Sequence, residues 1–87
     1  MSISVIFFKS KFCSACQQIE PVYKSALGNY PDVKSEIVDI TENLKAAIDN
    51  GVMSVPTVIF FKNDKEAVRL SGLISKEKIE QTIKENL

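Results

Sequence analysis

Two continuous apolar runs constrain the fold of this chain more than any other feature. They read ISVIFF at residues 3–8 and TVIFFK at residues 57–62. A strand with one face in water alternates apolar and polar residues, whereas a run without alternation is typical of a strand covered on both faces. The sequence therefore predicts a sheet in which these two strands are central and helices pack on both sides.

Helix and strand patterns alternate between and after these runs. A helix is expected from about residue 14 to Gly28, followed by a strand at residues 33–40. Thr41 can then cap a short helix that ends at Gly51. The residues of this short helix that we expect to face inward are Leu44, Ala47 and Ile48.

The last third of the chain predicts a hairpin and a helix. Turn residues at 63–65 separate TVIFFK from a strand at residues 66–72. Ser75 can cap the final helix, whose apolar residues are spaced by four: Ile79, Ile83 and Leu87. The order is β-α-β-α-β-β-α, in which the first crossover pairs strands in parallel and the hairpin pairs them antiparallel. We therefore predict an α/β fold with a four-stranded mixed sheet and, at 87 residues, a single domain over residues 1–87.

Charge and hydropathy exclude several classes of partner. Eleven basic and eleven acidic residues cancel, so the chain has no electrostatic footprint for nucleic acid or an anionic membrane. The N-terminus lacks the basic region of a signal peptide, and nothing approaches the roughly 20 apolar residues of a membrane span. We expect a cytoplasmic protein, in which closely spaced cysteines are more often metal-binding or catalytic than structural.

Both cysteines of the chain lie in the segment FCSAC at residues 12–16. A closed zinc site needs four ligands, and this chain offers two thiols and no histidine. A structural disulfide here closes a very small loop, which gains little chain entropy. A redox pair has a better physical basis, because Cys13 would lie at a helix start whose N–H groups and dipole favour a thiolate. Cys16, one turn further on, could then attack a mixed disulfide on Cys13.

Two lysines near the cysteines have two interpretations. Lys9 and Lys11 could add positive potential to the redox pair, or they could belong to a solvated loop. The sequence favours the second interpretation without excluding the first.

The chain as a whole resembles the thioredoxin family. The segments that carry the resemblance are FCSAC at 12–16, Pro21 in the following helix, VDITEN at 38–43, SVPT at 54–57, FFKND at 60–64 and SGLISKEKI at 71–79. The extra N-terminal strand and helix usual in the family have no counterpart in these residues. We therefore expect the minimal form of the thioredoxin fold, as in glutaredoxins.

The resemblance implies a thiol–disulfide oxidoreductase that reduces protein disulfides and binds no cofactor and no metal. It implies that Cys13 is the nucleophile and Cys16 the resolving thiol, in a monomer that receives electrons from a thioredoxin-reductase-type donor. It also implies a cis Val55–Pro56 bond. The residues that it assigns to substrate binding are Phe12, Ser14, Ala15, Val55, Pro56 and Gly72. A role in a strand bulge is an equally good interpretation of Gly72.

The sequence departs from the family pattern inside and around the motif. Phe12 replaces the usual Trp, and Ser14-Ala15 replaces Gly-Pro. The family's buried acid and its lysine partner fall on Phe7 and Ile37, so the proton route of the resolving cysteine has no assigned group.

Two alternatives to the thioredoxin-like function stay open. Glutaredoxins carry a Gly-Gly and an Asp for glutathione, whereas the corresponding segment RLSGLISKEK has one glycine and no acid before Glu77. The sequence therefore favours a thioredoxin-like enzyme over a glutathione-dependent one. A non-enzymatic protein-binding module with the same fold is the other alternative, and the presence of both cysteines and Pro56 argues against it.

Overall fold

A computed structural model describes residues 2–87 and arranges them in four strands and three helices. The elements are β1 (Ile3–Lys9), α1 (Ser14–Gly28), β2 (Lys34–Asp39), α2 (Leu44–Asp49), β3 (Thr57–Lys62), β4 (Lys65–Ser71) and α3 (Lys76–Asn86). The predicted order β-α-β-α-β-β-α is confirmed. Among residues 2–87, no helix has the length and apolar character needed to cross a bilayer.

The four strands form one mixed sheet in the order β2-β1-β3-β4. Strand β1 pairs with β2 in parallel, with Phe7 opposite Ile37. Strand β3 runs antiparallel to both β1 and β4. The two strands with continuous apolar sequences are therefore the central ones, as predicted.

Each central strand supplies side chains to two separate cores. On one side of the sheet, Phe7 and Phe60 pack with the buried faces of α1 and α3. On the other side, Phe8 and Ile59 pack with Ala47 of α2. Because successive side chains of a strand point to opposite faces, a strand with apolar side chains on both faces is what a sheet covered on both sides requires.

The hairpin between β3 and β4 has a two-residue loop. Lys62 pairs with Lys65, which leaves Asn63 and Asp64 as the loop residues. Their φ angles are 52° and 68°, in the left-handed region that two-residue hairpin loops need and that Asn and Asp tolerate better than other side chains. The predicted turn is thus confirmed from its local chemistry.

Helix α2 begins later than predicted, and the prediction that Thr41 caps it is wrong. Asn43 is the N-cap, and its Oδ1 accepts a hydrogen bond from the backbone N–H of Ala46 at 3.1 Å. Both the backbone N–H and the hydroxyl of Thr41 donate to the Asp39 carboxylate. Thr41 is therefore part of the turn that ends β2, and the chain needs two more residues before it can start a helix.

The prediction for the inward face of α2 is also wrong in part. Ala47 is buried, but Leu44 is 63% exposed and Ile48 68% exposed. The face that meets the sheet contains Ala47 and the half-buried Ala46. Small side chains on this face let the short helix lie close to the sheet, and the larger residues consequently point to solvent.

The last helix follows the prediction except at its end. Ser75 caps α3 by accepting a hydrogen bond from the Lys78 N–H at 3.1 Å. Ile79 and Ile83 are buried in the core shared with α1. Leu87 follows the helix and is largely exposed, so it does not extend the apolar stripe.

Candidate active site

The two cysteines lie at the start of α1 and are joined by a disulfide bond. Cys13 is the N-cap, and Ser14 and Ala15 occupy the first positions of the helix. The Cys13 backbone is extended, with φ −109° and ψ 104°, so its side chain turns back over the first helical turn. The Cα atoms of Cys13 and Cys16 are 5.2 Å apart, within the ordinary range for a disulfide.

Backbone N–H groups at the helix start are directed at Cys13. The Cys16 N–H donates to Cys13 Sγ at 3.1 Å, whereas the Gln17 N–H donates to the Cys13 carbonyl at 3.2 Å and makes the first bond inside the helix. The first N–H groups of a helix have no partner inside the helix and carry the positive end of its dipole. A negative charge on Cys13 Sγ is therefore stabilised here more than on an ordinary side chain.

The environments of the two sulfur atoms differ. Cys13 is half-buried at the edge of the core, whereas Cys16 is 1% exposed inside it. Cys16 belongs to the cluster that contains Ile19, Tyr23 and Phe7. Of the two, only Cys13 offers surface to an incoming disulfide.

Three loops meet at the end of the sheet where the cysteines lie. The register places Phe8 of β1 opposite Thr57 of β3, and Thr57 opposite Ser71 of β4. The loops at residues 10–13, 50–56 and 72–75 therefore leave the sheet at the same edge. The Gly72 N–H donates to the Pro56 carbonyl at 3.1 Å and so links the second loop to the third.

The second loop carries the Val55–Pro56 peptide bond, which is cis in the structure. Pro56 is buried, and Val55 is half-buried against both cores. Gly72 has a φ of 83°, a left-handed conformation that favours glycine over every other residue. The irregularity in the pairing of β3 with β4 lies at Phe60 and Phe61, not at Gly72.

Large apolar side chains are exposed on all three loops. Phe12 is 94% exposed beside Cys13, Met53 is 98% exposed in the second loop and Leu73 is 71% exposed in the third. Contiguous exposed apolar surface typically marks a site of protein binding, and these three loops leave the sheet at the same edge. Sequence reasoning identified Phe12 but missed Met53 and Leu73. The signal that could have found them is a large apolar residue in a loop next to a functional motif.

Apolar side chains occupy the two positions at which the family pattern has an acid and a lysine. Phe7 is fully buried, with its ring centroid 5.2 Å from that of Tyr23. Ile37 lies opposite Phe7 in the register of β1 and β2 and packs against the same core. The core around Cys16 is therefore apolar on this side.

The lysines near the cysteines are both paired with carboxylates. Lys9 Nζ lies 2.8 Å from Glu20 Oε1, and Lys11 Nζ lies 3.0 Å from Glu42 Oε1. The hydrogen bond from Lys9 holds the pKa of the Glu20 carboxyl below its ordinary value, and the same bond raises the pKa of Lys9. Because each positive charge has a negative neighbour, the two lysines add little net potential at Cys13.

Among residues 2–87, no three histidine, cysteine, aspartate or glutamate side chains are arranged to hold a metal ion. The chemistry that the site offers is that of its two sulfur atoms.

Comparison with known proteins agrees with this geometry. A family model described as Thioredoxin matches residues 1–85. The thioredoxin of Ophiophagus hannah is 34% identical over 80 residues, which cover 92% of this chain and 75% of that protein. The thioredoxin of Staphylococcus saprophyticus is 32% identical over 87 residues, covering 98% of this chain and 83% of that protein.

A solved thioredoxin structure has the same fold as this chain. The X-ray structure of Fasciola hepatica thioredoxin superposes with a TM-score of 0.90 at 30% identity, covering 99% of this chain and 82% of that one. The thioredoxin matches make this chain a thiol–disulfide oxidoreductase that acts on disulfide substrates. By the match of residues 1–85, its fold and its pair of cysteines at the start of α1, the chain belongs to the thioredoxin family.

Proposed function

We propose that this protein reduces disulfides in cytoplasmic proteins through a cycle in which Cys13 attacks and Cys16 resolves. The observation that carries the proposal is the asymmetry of the two thiols. Cys13 is accessible and its Sγ accepts a hydrogen bond from the Cys16 N–H, while Cys16 is buried directly behind it. A thiolate at Cys13 can reach a substrate sulfur, and Cys16 can reach only Cys13.

The cycle begins when the Cys13 thiolate attacks one sulfur of a substrate disulfide. A Cys13–substrate disulfide forms, and the second substrate sulfur leaves as a thiolate. Cys16 then attacks Cys13 Sγ and gives up its proton, and the first substrate sulfur is released and takes up a proton. The substrate gains two electrons and two protons, and the protein is left with the Cys13–Cys16 disulfide.

The surface around Cys13 supports a protein as the substrate. The proposed contact residues lie on the three loops and the start of α1. They are the side chains of Phe12, Ser14 and Ala15, the backbone of Val55 and Pro56, and Gly72. An extended segment of substrate can pair with backbone groups beside Pro56 while its apolar side chains meet Phe12. Met53 and Leu73 enlarge this apolar surface.

The proposed electron donor is a thioredoxin-reductase-type flavoprotein that uses NADPH. The segment after β4 contains Gly72 alone, without the Gly-Gly and Asp that glutaredoxins use for glutathione.

We propose further that the protein acts as a monomer and that residues 1–87 form one independent domain. Sedimentation of the purified protein tests the first of these statements.

Trapping with cysteine variants tests the assignment of roles. Cys16→Ser keeps the attacking thiol and loses the resolving one, so it should accumulate covalent adducts with substrate proteins through Cys13. Cys13→Ser is the matched control and should accumulate none. Mass spectrometry of the adducts reads out both variants, and adducts through Cys16 would reverse the roles.

Supplying electrons from two sources tests the donor. Turnover of a protein disulfide is measured with NADPH and thioredoxin reductase, and separately with NADPH, glutathione and glutathione reductase. We expect turnover with the first system and little with the second. Turnover with the glutathione system and none with thioredoxin reductase would favour the glutaredoxin-like alternative. No turnover with either system would favour a binding module.

A further inference from the structure

The segment from α2 to Pro56 has few apolar anchors on the rest of the molecule. Its buried apolar side chains on the α2 side of the sheet are Ala47 and Val52. Leu44, Ile48 and Met53 point to solvent. Regions with little buried apolar surface open most easily, so polar contacts contribute more to holding this segment than they do elsewhere.

One side chain of the edge strand β4 reaches across to this segment. The guanidinium group of Arg69 donates to the Asn50 carbonyl at 2.6 Å and to the Gly51 carbonyl at 3.0 Å. The carboxylate of Glu66 accepts two further hydrogen bonds from the same group, at 2.7 and 2.9 Å. Val68 and Leu70, the neighbours of Arg69, pack on the opposite core, so the sheet itself directs Arg69 toward α2.

The two carbonyls that Arg69 binds belong to the turn that ends α2. The Gly51 N–H donates to the Ile48 carbonyl, and the Val52 N–H donates to the Ala47 carbonyl. This pair of bonds is a Schellman motif with Gly51 in the left-handed conformation, at a φ of 63°. The motif fixes the direction of the chain as it leaves α2, and Arg69 fixes the motif relative to the sheet.

The planar guanidinium group suits this task. It has five N–H donors in a fixed fork, so one group can bind two adjacent carbonyls and a carboxylate together. Glu66 holds the guanidinium in one orientation, three residues before Arg69 on the same strand. A lysine at this position would offer a single ammonium group on a flexible stem.

We infer that Arg69 is a positioning residue for substrate binding. It holds the start of the loop at residues 50–56, while the Thr57 hydroxyl, which donates to the Ser54 carbonyl at 2.8 Å, holds the end. Between these points lie Met53 and the backbone of Val55, which the proposed function places against the substrate. A loop held in its binding conformation loses less entropy when substrate binds.

The experiment compares two disulfides that need the loop to different extents. Pre-reduced protein is mixed with insulin, whose disulfides lie in a folded protein, or with 5,5′-dithiobis(2-nitrobenzoic acid), which is small enough to reach Cys13 without the loop. Single-turnover rates at increasing insulin concentration separate the concentration for half-maximal rate from the limiting rate.

Arg69→Met removes every donor and keeps the apolar stem. It should raise the half-maximal insulin concentration about three- to tenfold, as expected for loss of one or two hydrogen bonds, and leave the limiting rate and the small-disulfide rate nearly unchanged. Arg69→Lys should give an intermediate value. The control Lys45→Met removes one positive charge from α2, where Lys45 pairs with Asp49, and should behave as the unaltered protein.

Hydrogen exchange gives a readout that does not depend on substrate. The amides of residues 51–54 should exchange faster in Arg69→Met than in Lys45→Met, while those of α1 should not change. Unchanged exchange, or an unchanged insulin concentration dependence, overturns the inference. An equal loss of rate on both disulfides also overturns it, because that result indicates a general effect on Cys13.

The inference rests on the proposed function for its effect on substrate, and the two can fail separately. If the unaltered protein does not reduce insulin, the proposed function fails. The exchange measurement then decides by itself whether Arg69 anchors the loop.

Discussion

Helices α1 and α2 both adjoin the end of the sheet that carries the cysteines, but they are attached to it in different ways. Helix α1 has 15 residues and buries Cys16, Ile19, Tyr23, Ala26 and Leu27. Helix α2 has six residues and buries Ala47 alone. The side of the molecule that holds the reactive sulfurs is fixed by apolar packing, whereas the side that carries the proposed substrate loop depends on hydrogen bonds and turns.

This difference matches two different requirements. Exchange between Cys13 and Cys16 needs the two sulfurs in a fixed relation, and a large buried face gives α1 that rigidity. Binding of varied protein segments needs a surface that can adjust, and a helix with a small buried face can shift at little cost. The predictions below test this contrast, in order of decreasing effect.

The largest expected difference comes from the same substitution on the two sides. Ile79→Ala in α3 removes a fully buried side chain from the α1 side and should lower the free energy of unfolding by about 2–5 kcal/mol. Ile48→Ala in α2 removes an exposed side chain and should change it by less than about 0.5 kcal/mol. Urea denaturation of both variants measures the contrast.

Loss of this much stability can unfold a domain of this size, so a milder variant is also needed. Ile83→Val in the same buried stripe should cost about 0.5–1.5 kcal/mol. A cost of Ile48→Ala equal to that of Ile83→Val would show that α2 is packed as firmly as α3, and the contrast would be lost.

The glycines that end the two helices should respond in opposite directions. Gly51 ends α2 with a φ of 63°, so Gly51→Ala should cost about 1–2 kcal/mol although there is space for the added methyl group. Gly28 ends α1 without a positive φ and also has space, so Gly28→Ala should be neutral or stabilise by up to about 1 kcal/mol. Thermal unfolding measures both variants. If Gly28→Ala destabilised the protein and Gly51→Ala did not, the proposed difference between the ends of the two helices would be wrong.

The residues that cap α2 and α3 allow the same local feature, a helix N-cap, to be compared on the two sides of the sheet. Asn43→Ala removes the side chain that caps α2 and should cost about 1 kcal/mol. Ser75→Ala removes the cap of α3 and should cost about the same. Because α2 has so little packing, Asn43→Ala should also speed amide exchange at residues 44–49. A loss of stability from Thr41→Ala larger than that from Asn43→Ala would restore Thr41 as the cap.

The smallest expected effect is a pH dependence on the α1 side. Lys9 lowers the pKa of Glu20 in the folded protein, so the contribution of this pair is fully present above the ordinary glutamate value of about 4.5 and is lost as the pH falls through the folded-state pKa. Glu20→Gln should therefore destabilise slightly at pH 7, and its effect should be smaller at pH 3. Denaturation at both pH values is the measurement, and an equal difference at the two values would exclude the ionised pair as the cause.

The sequence predicted the features that depend on neighbouring residues in the chain. The continuous apolar runs predicted the two central strands because the alternation of side chains along a strand is a local property. The cap at Ser75 and the turn at Asn63 and Asp64 were likewise predicted from single residues with known preferences. At the site, local chemistry was enough to place Cys13 at the start of a helix and Cys16 one turn behind.

Thr41 was misjudged for a local reason, its turn with Asp39, whereas the other misjudged residues depend on what lies next to them in space. The rotation of α2 that exposes Leu44 and Ile48 is set by how closely its small residues can approach the sheet. The exposure of Met53 and Leu73 at the same edge of the sheet as Phe12 depends on three loops that are far apart in sequence. Neither helical periodicity nor loop composition carries this information.

By itself, the sequence determined the order of the strands and helices, which strands are central, and the chemistry of the cysteine pair. Only the tertiary structure decided that Phe7 and Ile37 face each other in an apolar core behind Cys16. It also decided that Arg69 reaches the end of α2, 18 and 19 residues before it in the chain. The physical reason is that patterns along the chain fix the direction of a side chain relative to its own helix or strand, whereas its partner is fixed by the register and packing of other elements.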